Sequence, residues 1–337
     1  MRLSRPVGIV GTGIHVPDRV LSNHDLEKMV DTSDEWITTR TGIKERRIAD
    51  EATATSDLAF GAARQALENA GIGAEELDLI IVATVTPDML FPATACLVQA
   101  RLGATRAAAF DLSAGCSGFI YGLATGAGFI ASGQYETVMV IGAETLSKIT
   151  NWQDRSTCVL FGDGAGAAIL RPVPEGYGFL SFVLGADGTG GEKLTLPGGG
   201  SRRPFRFDRA ETDEGSQYIH MCGPDVFKFA VRVVPQATEE VLTTAGLTPD
   251  DLQLFIPHQA NIRIIDAAAE RLGITKDRVM VNVDRYGNTS AASIALALHE
   301  AVTARRLTHG GLAVLVGFGA GLTWAAGALR WYDWRQG

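Results

Sequence analysis

The hydrophobic positions alternate between short unbroken runs and helical stripes, a pattern that predicts an α/β chain. Residues 6–14 read as a strand ending in a turn, and Asn23-His24-Asp25-Leu26-Glu27 reads as a helix start with Asn23 as its cap. Residues 55–71 carry the apolar stripe of an amphipathic helix that stops at Gly71. Leu79 to Val85 is a continuous apolar run, the pattern of a parallel strand buried on both faces. Pro92 to Leu102 reads as a helix closed by Gly103. A strand at 137–142, a connecting region at 145–157 and a strand-turn-strand over 158–170 follow. The stretch 188–217 is rich in Gly, Pro and charge and reads as a long surface loop.

One segment departs from this rhythm. The run Ala107 to Leu112 leads into Ser113-Ala114-Gly115-Cys116-Ser117-Gly118, and an uncharged segment continues from Phe119 to Ser132. This predicts a strand, a sharp corner and a buried helix, with Cys116 at the helix start. A thiol there faces the helix dipole and unpaired N–H groups, which stabilise thiolate, and small neighbours admit a substrate carbonyl. The alternative is a buried cysteine that packs as a small hydrophobe. Residues 112–135 carry no charge and reach the length of a membrane span. Their Gly, Ala and Ser content and the turn at their start favour a helix enclosed within the protein. Residues 312–329 are also uncharged, but Gly317, Gly319 and Gly321 interrupt them.

The pattern repeats. Ala70-Gly71-Ile72 with Leu77-Asp78-Leu79-Ile80-Ile81 returns as Ala245-Gly246-Leu247 with Leu252-Gln253-Leu254-Phe255-Ile256. Arg101-Leu102-Gly103 returns as Arg271-Leu272-Gly273, and Val138-Met139-Val140-Ile141-Gly142 as Ala313-Val314-Leu315-Val316-Gly317. Matches in one order at similar spacings predict two homologous βαβ-rich halves, 1–172 and 173–337, joined near 171–180. Cys116 lies fifteen residues after Arg101, and the same step from Arg271 reaches Tyr286, beside Gly287-Asn288-Thr289-Ser290. Pro257-His258-Gln259-Ala260-Asn261 follows a predicted buried strand, at the end where open α/β sheets build their sites. Each residue has a plainer role available, His258 as a core histidine and Asn288 as the cap of the next helix. The repeat gathers Cys116, His258 and Asn288 at equivalent ends and favours a shared site.

Composition narrows the function. A chain of 337 residues with 46% hydrophobic positions builds two domains or one large intertwined unit. A net charge of -8 argues against a nucleic-acid surface. The cysteines Cys96, Cys116, Cys158 and Cys222 lie far apart with no CxxC pair, so neither a disulfide framework nor a zinc site is expected, and a reducing cytoplasm fits. The apolar stretch near the N-terminus is too short for a signal peptide's core. Gly11-Thr12-Gly13 hints at a dinucleotide loop, but Val16 stands where the third glycine belongs. Residues 34–47 hold Trp36 among charges, as a solvated face anchored by one aromatic or as a phosphate or nucleotide contact.

Taken together, Asp31-Thr32-Ser33-Asp34-Glu35-Trp36-Ile37-Thr38-Thr39-Arg40-Thr41-Gly42-Ile43, the Cys116 corner, Phe161-Gly162-Asp163-Gly164-Ala165-Gly166, Pro257-His258-Gln259-Ala260-Asn261, Gly287-Asn288-Thr289-Ser290-Ala291-Ala292-Ser293 and Gly317-Phe318-Gly319-Ala320-Gly321 resemble the β-ketoacyl-acyl-carrier-protein synthase III family of the thiolase superfamily. The resemblance implies a thiolase-like fold, two βαβαβαββ halves in five layers α-β-α-β-α, as a homodimer. It implies that Cys116 takes an acyl group from a short acyl-CoA and that malonyl-acyl carrier protein is then decarboxylated and condensed with it. His258 and Asn288 would stabilise the enolate, and the N–H groups of Cys116 and Ala320 the acyl oxygen. Trp36, Arg40 and Arg155 match CoA contacts, Phe227 and Asn261 match pocket positions, and Phe91 matches a residue given to the dimer partner's pocket. Gln259, Ala260, Asn261, Ile262 and Arg263 match the carrier-protein segment, with Lys228 and Arg271 beside Arg263 completing a basic patch. No cofactor, metal, nucleic acid or membrane is implied, since acyl-CoA is a substrate. Pro224, Ser156, Ala320, Glu270 and the longer 188–217 loop depart from the pattern, away from the Cys-His-Asn set. A ketosynthase or acyltransferase of a secondary pathway shares most of these motifs. A catalytically silent acyl- or carrier-binding partner would not need all three site residues.

Overall fold

The computed structural model describes residues 4–204 and 215–334. The chain opens with β1 (Val7–His15), which contains the Gly-Thr-Gly segment as ordinary strand. The short strands β2 (Val20–Ser22) and β3 (Glu45–Arg47) pair around α1 (Asn23–Leu26) and α2 (Asp34–Thr41). Ser22 caps α1, not Asn23: its hydroxyl accepts the Asp25 N–H while the Asp25 carboxylate accepts from Ser22. Asn23 turns inward instead, donating to Asp34 and to the Ile43 carbonyl. Then come α3 (Thr55–Ala70), β4 (Leu79–Ala83), α4 (Thr94–Leu102), β5 (Ala108–Leu112), a 3-10 turn at Gly115–Ser117, α5 (Gly118–Ala131) and β6 (Val138–Glu144).

The strand-turn-strand expected over 158–170 forms only in its second part. Asp154 caps a short helix, α6 (Arg155–Cys158), by accepting the Ser156 N–H, and Phe161 makes a single bridge to Asn288. β7 (Gly164–Pro172) then leads to β8 (Gly178–Ala186). The 188–217 loop contains a 3-10 segment at Gly188–Lys193 and β9 (Leu194–Thr195), which pairs with β10 (His220–Met221). Its residues 205–214 lie outside the described residues. The chain closes with α7 (Gly223–Ala245), β11 (Leu254–Pro257), α8 (Ile262–Arg271), α9 (Val283–Tyr286), α10 (Ala292–Thr303), β12 (Leu312–Gly319) and β13 (Thr323–Arg330).

Two sheets carry the molecule, in the orders β1-β7-β6-β4-β5 and β8-β13-β12-β11. Set side by side, the four strands of the second match β1, β7, β6 and β4 of the first. β4 lies parallel to β6 as β11 does to β12, and the next two pairings are antiparallel in both sheets. A parallel bridge from Phe255 to Val279 stands where β5 flanks β4. Hydrophobic layers follow from this. Residues of α5 and α10, such as Phe119, Leu123, Ile294 and Leu298, pack between the sheets against Ile81, Val140, Ile256 and Leu315. α3 and α4 cover the outer face of the first sheet, and α7 and α8 that of the second. The uncharged segments thus lie inside, and among the described residues no helix is long and apolar enough to cross a membrane. The central helices start where the sheets end, which sets the site at their junction.

Candidate active site

Cys116 sits in the 3-10 turn between β5 and α5, and is 8% exposed. Two glycines let this corner touch the end of β12. A Cβ on Gly115, which holds φ of 55°, would lie 2.7 Å from the Ala320 backbone N, and one on Gly319 would lie 2.3 Å from the Cys116 backbone N. Only bare backbone fits between the two segments, so the Cys116 and Ala320 N–H groups come close together. Burial pushes the thiol up to about 12, against the effect expected from the helix start, and the neighbouring Ser290 offsets it in part. The resting group is therefore a thiol, not a thiolate.

His258 follows β11 and is 2% exposed, its backbone N–H donating to the Val316 carbonyl. The Phe318 ring stands edge-on against its ring at 5.3 Å. Burial holds it down at about 3, so the imidazole is neutral. Its Nδ1 lies 2.6 Å from the Ser293 hydroxyl, which also accepts the Gln259 N–H at 3.4 Å. Ser293 thus holds the Nδ1 edge of the ring, and Nε2 is the nitrogen left for a ligand.

Asn288 is held at both backbone ends, its N–H donating to the Leu160 carbonyl and its carbonyl accepting from Gly162 N–H. It does not cap α10, which begins at Ala292 after Ala291. Its Oδ1 accepts the Ser290 N–H at 2.9 Å, so the amide NH2 is the end left for a ligand. Ser290 thereby ties Asn288 to Cys116, while Ser293 and Phe318 tie in His258. The three residues selected from the sequence converge on one buried corner.

Two further groups belong to it. Ser290 takes a left-handed φ of 47°, unusual for a residue with a side chain, and its hydroxyl donates to Glu144 at 3.0 Å. Glu144 ends β6, is fully buried, and also accepts from Thr84, Val85 and Thr86. Burial pushes its carboxyl up to about 7. The sequence signal for it was a carboxylate ending an otherwise apolar strand.

At the surface, Arg40 and Arg155 flank the Trp36 ring at 5.2 and 4.9 Å from its centroid. Asn261 caps α8 by accepting from Arg263 N–H, and its amide donates to the Arg40 carbonyl. The Arg263 guanidinium covers the Phe227 ring at 5.4 Å, with exposed Lys228 next in sequence. Gln259 requires correction as a docking residue. It is 1% exposed, donates to the Pro257 and Met280 carbonyls, and accepts from Asn282 and Val283 N–H, so it braces the His258 strand end from inside. Ala260 and Ile262 are half-buried. Arg271 closes α8, about 12 Å along the axis from Arg263, and lies apart from the Arg263–Lys228 pair. Phe91 and Leu90 are 84% and 80% exposed on the loop before α4.

A buried cysteine at a strand-to-helix corner, two neutral donors and paired sheets of matching order define a condensing enzyme of the thiolase-like class. The similarities are more specific. The family descriptions "3-Oxoacyl-[acyl-carrier-protein (ACP)] synthase III" and its C-terminal part match residues 110–188 and 242–331. The chain is 61% identical to the β-ketoacyl-[acyl-carrier-protein] synthase III of Caldanaerobacter subterraneus subsp. tengcongensis, covering 96% of this chain and 97% of that one. It is 62% identical to the enzyme of that name from Symbiobacterium thermophilum, covering 97% and 98%. The solved synthase III from Thermus thermophilus superposes with a TM-score of 0.90 at 56% identity, covering 97% and 99%. The chain belongs to the β-ketoacyl-acyl-carrier-protein synthase III family.

Proposed function

We propose that the chain joins a short acyl-CoA, acetyl or a small branched acyl, to malonyl-acyl carrier protein. The products are 3-oxoacyl-acyl carrier protein, CoA and carbon dioxide, the reaction that initiates type II fatty-acid synthesis. Cys116 attacks the thioester carbonyl, whose oxygen leans on the N–H groups of Cys116 and Ala320. CoA leaves, its nucleotide end held by Trp36, Arg40 and Arg155. The carrier protein, an acidic partner, docks on Arg263 and Lys228. Loss of carbon dioxide from the malonyl group leaves an enolate, which attacks the acyl-enzyme and expels the Cys116 thiolate. The observation that carries this reading is the pair of neutral groups at the Cys116 corner, the buried His258 imidazole held at Nδ1 by Ser293, with Nε2 left to act as donor, and the Asn288 amide held at Oδ1 by Ser290. Neutral donors stabilise an enolate oxygen without protonating its carbon.

The four corresponding strands of the five- and four-stranded sheets support a division into homologous halves at 172/173. A homodimer is supported by β5, which is an unpaired sheet edge, and by the bare Leu90-Phe91 loop nearby in the chain. The enzyme works in the cytoplasm on its two thioesters alone, with no further cofactor.

The test compares malonyl-carrier protein with malonyl-CoA in the condensation of an acetyl primer. Strong preference for the carrier is expected, and His258→Ala or Asn288→Ala should slow condensation ~100-fold or more while self-acylation falls less. Equal use of malonyl-CoA favours a ketosynthase of another pathway. Rapid condensation by either variant removes the assigned roles.

A further inference from the structure

The reaction as described leaves one proton without a carrier. Cys116 must lose it before attacking, and burial holds the thiol near 12. His258 cannot take it, because its ring stays neutral down to about 3 and its Nδ1 is already occupied by Ser293. No ion pair reaches the corner among the described residues. One acid does reach it. Glu144 is fully buried, and its direct partners are the hydroxyls of Thr84, Thr86 and Ser290 and the Val85 N–H. The titratable group facing it is Cys116. Between the two stands Ser290, whose side chain acts on the thiol and whose hydroxyl donates to Glu144 Oε1 at 3.0 Å. The positive φ of Ser290 aims that hydroxyl, and its N–H fixes Asn288 Oδ1, so one residue sets both the thiol's partner and the free amide.

We propose that Ser290 and Glu144 form a proton relay for the acylation half-reaction. The Cys116 S–H proton passes to Ser290 Oγ as the Ser290 proton passes to Glu144 Oε1. This leaves a thiolate, an unchanged serine and a neutral carboxylic acid. The thiolate forms the new C–S bond, the bond to CoA breaks, and the departing CoA sulfur takes the proton back through Ser290. Glu144 returns to carboxylate. The dry corner holds one negative charge throughout acylation, on Glu144 or on Cys116 and never on both. Condensation does not use the relay: the enolate expels Cys116 as thiolate, and the one proton that the overall reaction consumes comes from solvent and restores the thiol. The carboxyl's poise at about 7 suits a group that must both take and return a proton near neutral pH.

This inference rests on Cys116 being the acylated residue, and the experiment separates the two. Single-turnover acylation by acetyl-CoA is followed from pH 5.5 to 9 by rapid quench and intact mass, with the adduct mapped to its peptide. The wild-type rate should rise with pH and level off above about 7. Glu144→Gln preserves shape but cannot accept the proton. Its rate at pH 7.5 should fall ~100-fold and climb steadily with pH without levelling. Ser290→Gly, which suits the positive φ and removes the hydroxyl, should show the same climb, and it carries the test if Glu144→Gln does not fold. Levelling near neutrality in either folded variant overturns the relay, as does a wild-type profile that climbs without levelling. An adduct on a residue other than Cys116 instead overturns the nucleophile assignment beneath it.

Discussion

Gly319→Ala adds one methyl group where the two segments of the site meet. Its Cβ would lie 2.3 Å from the Cys116 backbone N, 3.1 Å from the Cys116 Cα and 3.1 Å from the Gly115 carbonyl carbon. Ordinary contact begins near ~3.5 Å, so the segments must part by about 1 Å. All three contacts are to backbone, and no side chain can swing away to relieve them. Forced overpacking of this kind costs ~1–3 kcal/mol of stability. The larger effect falls on catalysis, because the displaced atoms include the Cys116 N–H and carry Ala320 with them. Loss of one oxyanion donor lowers turnover by ~100- to 1,000-fold, and that is the loss expected here. Gly128→Ala serves as the control. A Cβ there, within α5, meets nothing within 4 Å, and removing a helical glycine should stabilise by ~0.5–1 kcal/mol. Acylation by acetyl-CoA under single turnover, steady-state condensation and thermal melting report the three effects. A Gly319→Ala enzyme acylating within threefold of wild type would refute the assignment of this contact as the oxyanion site.

Two other predictions follow from charge and stacking. Trp36→Ala should raise KM for acyl-CoA ~10-fold with kcat nearly unchanged, since the ring flanked by Arg40 and Arg155 supplies binding and no chemistry. A fall in kcat with KM constant would contradict it. The pH dependence of stability should show two opposed groups. His258 moves from 6.5 down to about 3, so the unfolded chain takes up a proton that the fold refuses, and stability is lost as pH falls below 6.5. Glu144 moves from 4.5 up to about 7, so the fold keeps a proton that the unfolded chain loses, and stability is lost as pH rises from 4.5 to 7. Between 4.5 and 6.5 the two slopes, each ~1.4 kcal/mol per pH unit, cancel. Glu144→Gln removes one of them, so urea unfolding of this variant should show a steeper loss on acidification across that window than wild type. Parallel curves would contradict the buried titration.

Much of this was legible because the informative features are local. Long apolar runs such as 79–83 and the glycine stops at 71 and 103 depend on neighbouring residues alone. The internal repeat reaches further, setting Asn288 at the position equivalent to the Cys116 corner. The errors are those that need tertiary context. Gln259 belongs to a run that the family resemblance assigns as a whole to carrier docking, ending in the charged Arg263. Its neighbours on either side diverge in the fold, His258 and Gln259 inward and Arg263 outward, and nothing in the letters marks the division. Asn23 was a good cap by type, but its burial beneath Arg46 decides its role. Glu144 and Ser290 lie 146 residues apart. Their pairing exists only once β6 and the start of α10 come together at the junction of the sheets.

The central claim is that Cys116 carries the acyl group, and the most direct measurement is the intact mass of the protein after exposure to acetyl-CoA, without carrier protein. The account predicts one acetyl group per chain, mapped to the peptide holding Cys116 and absent from Cys116→Ala. An adduct that survives in Cys116→Ala, or no adduct with acetyl-CoA or small branched acyl-CoA, would contradict it.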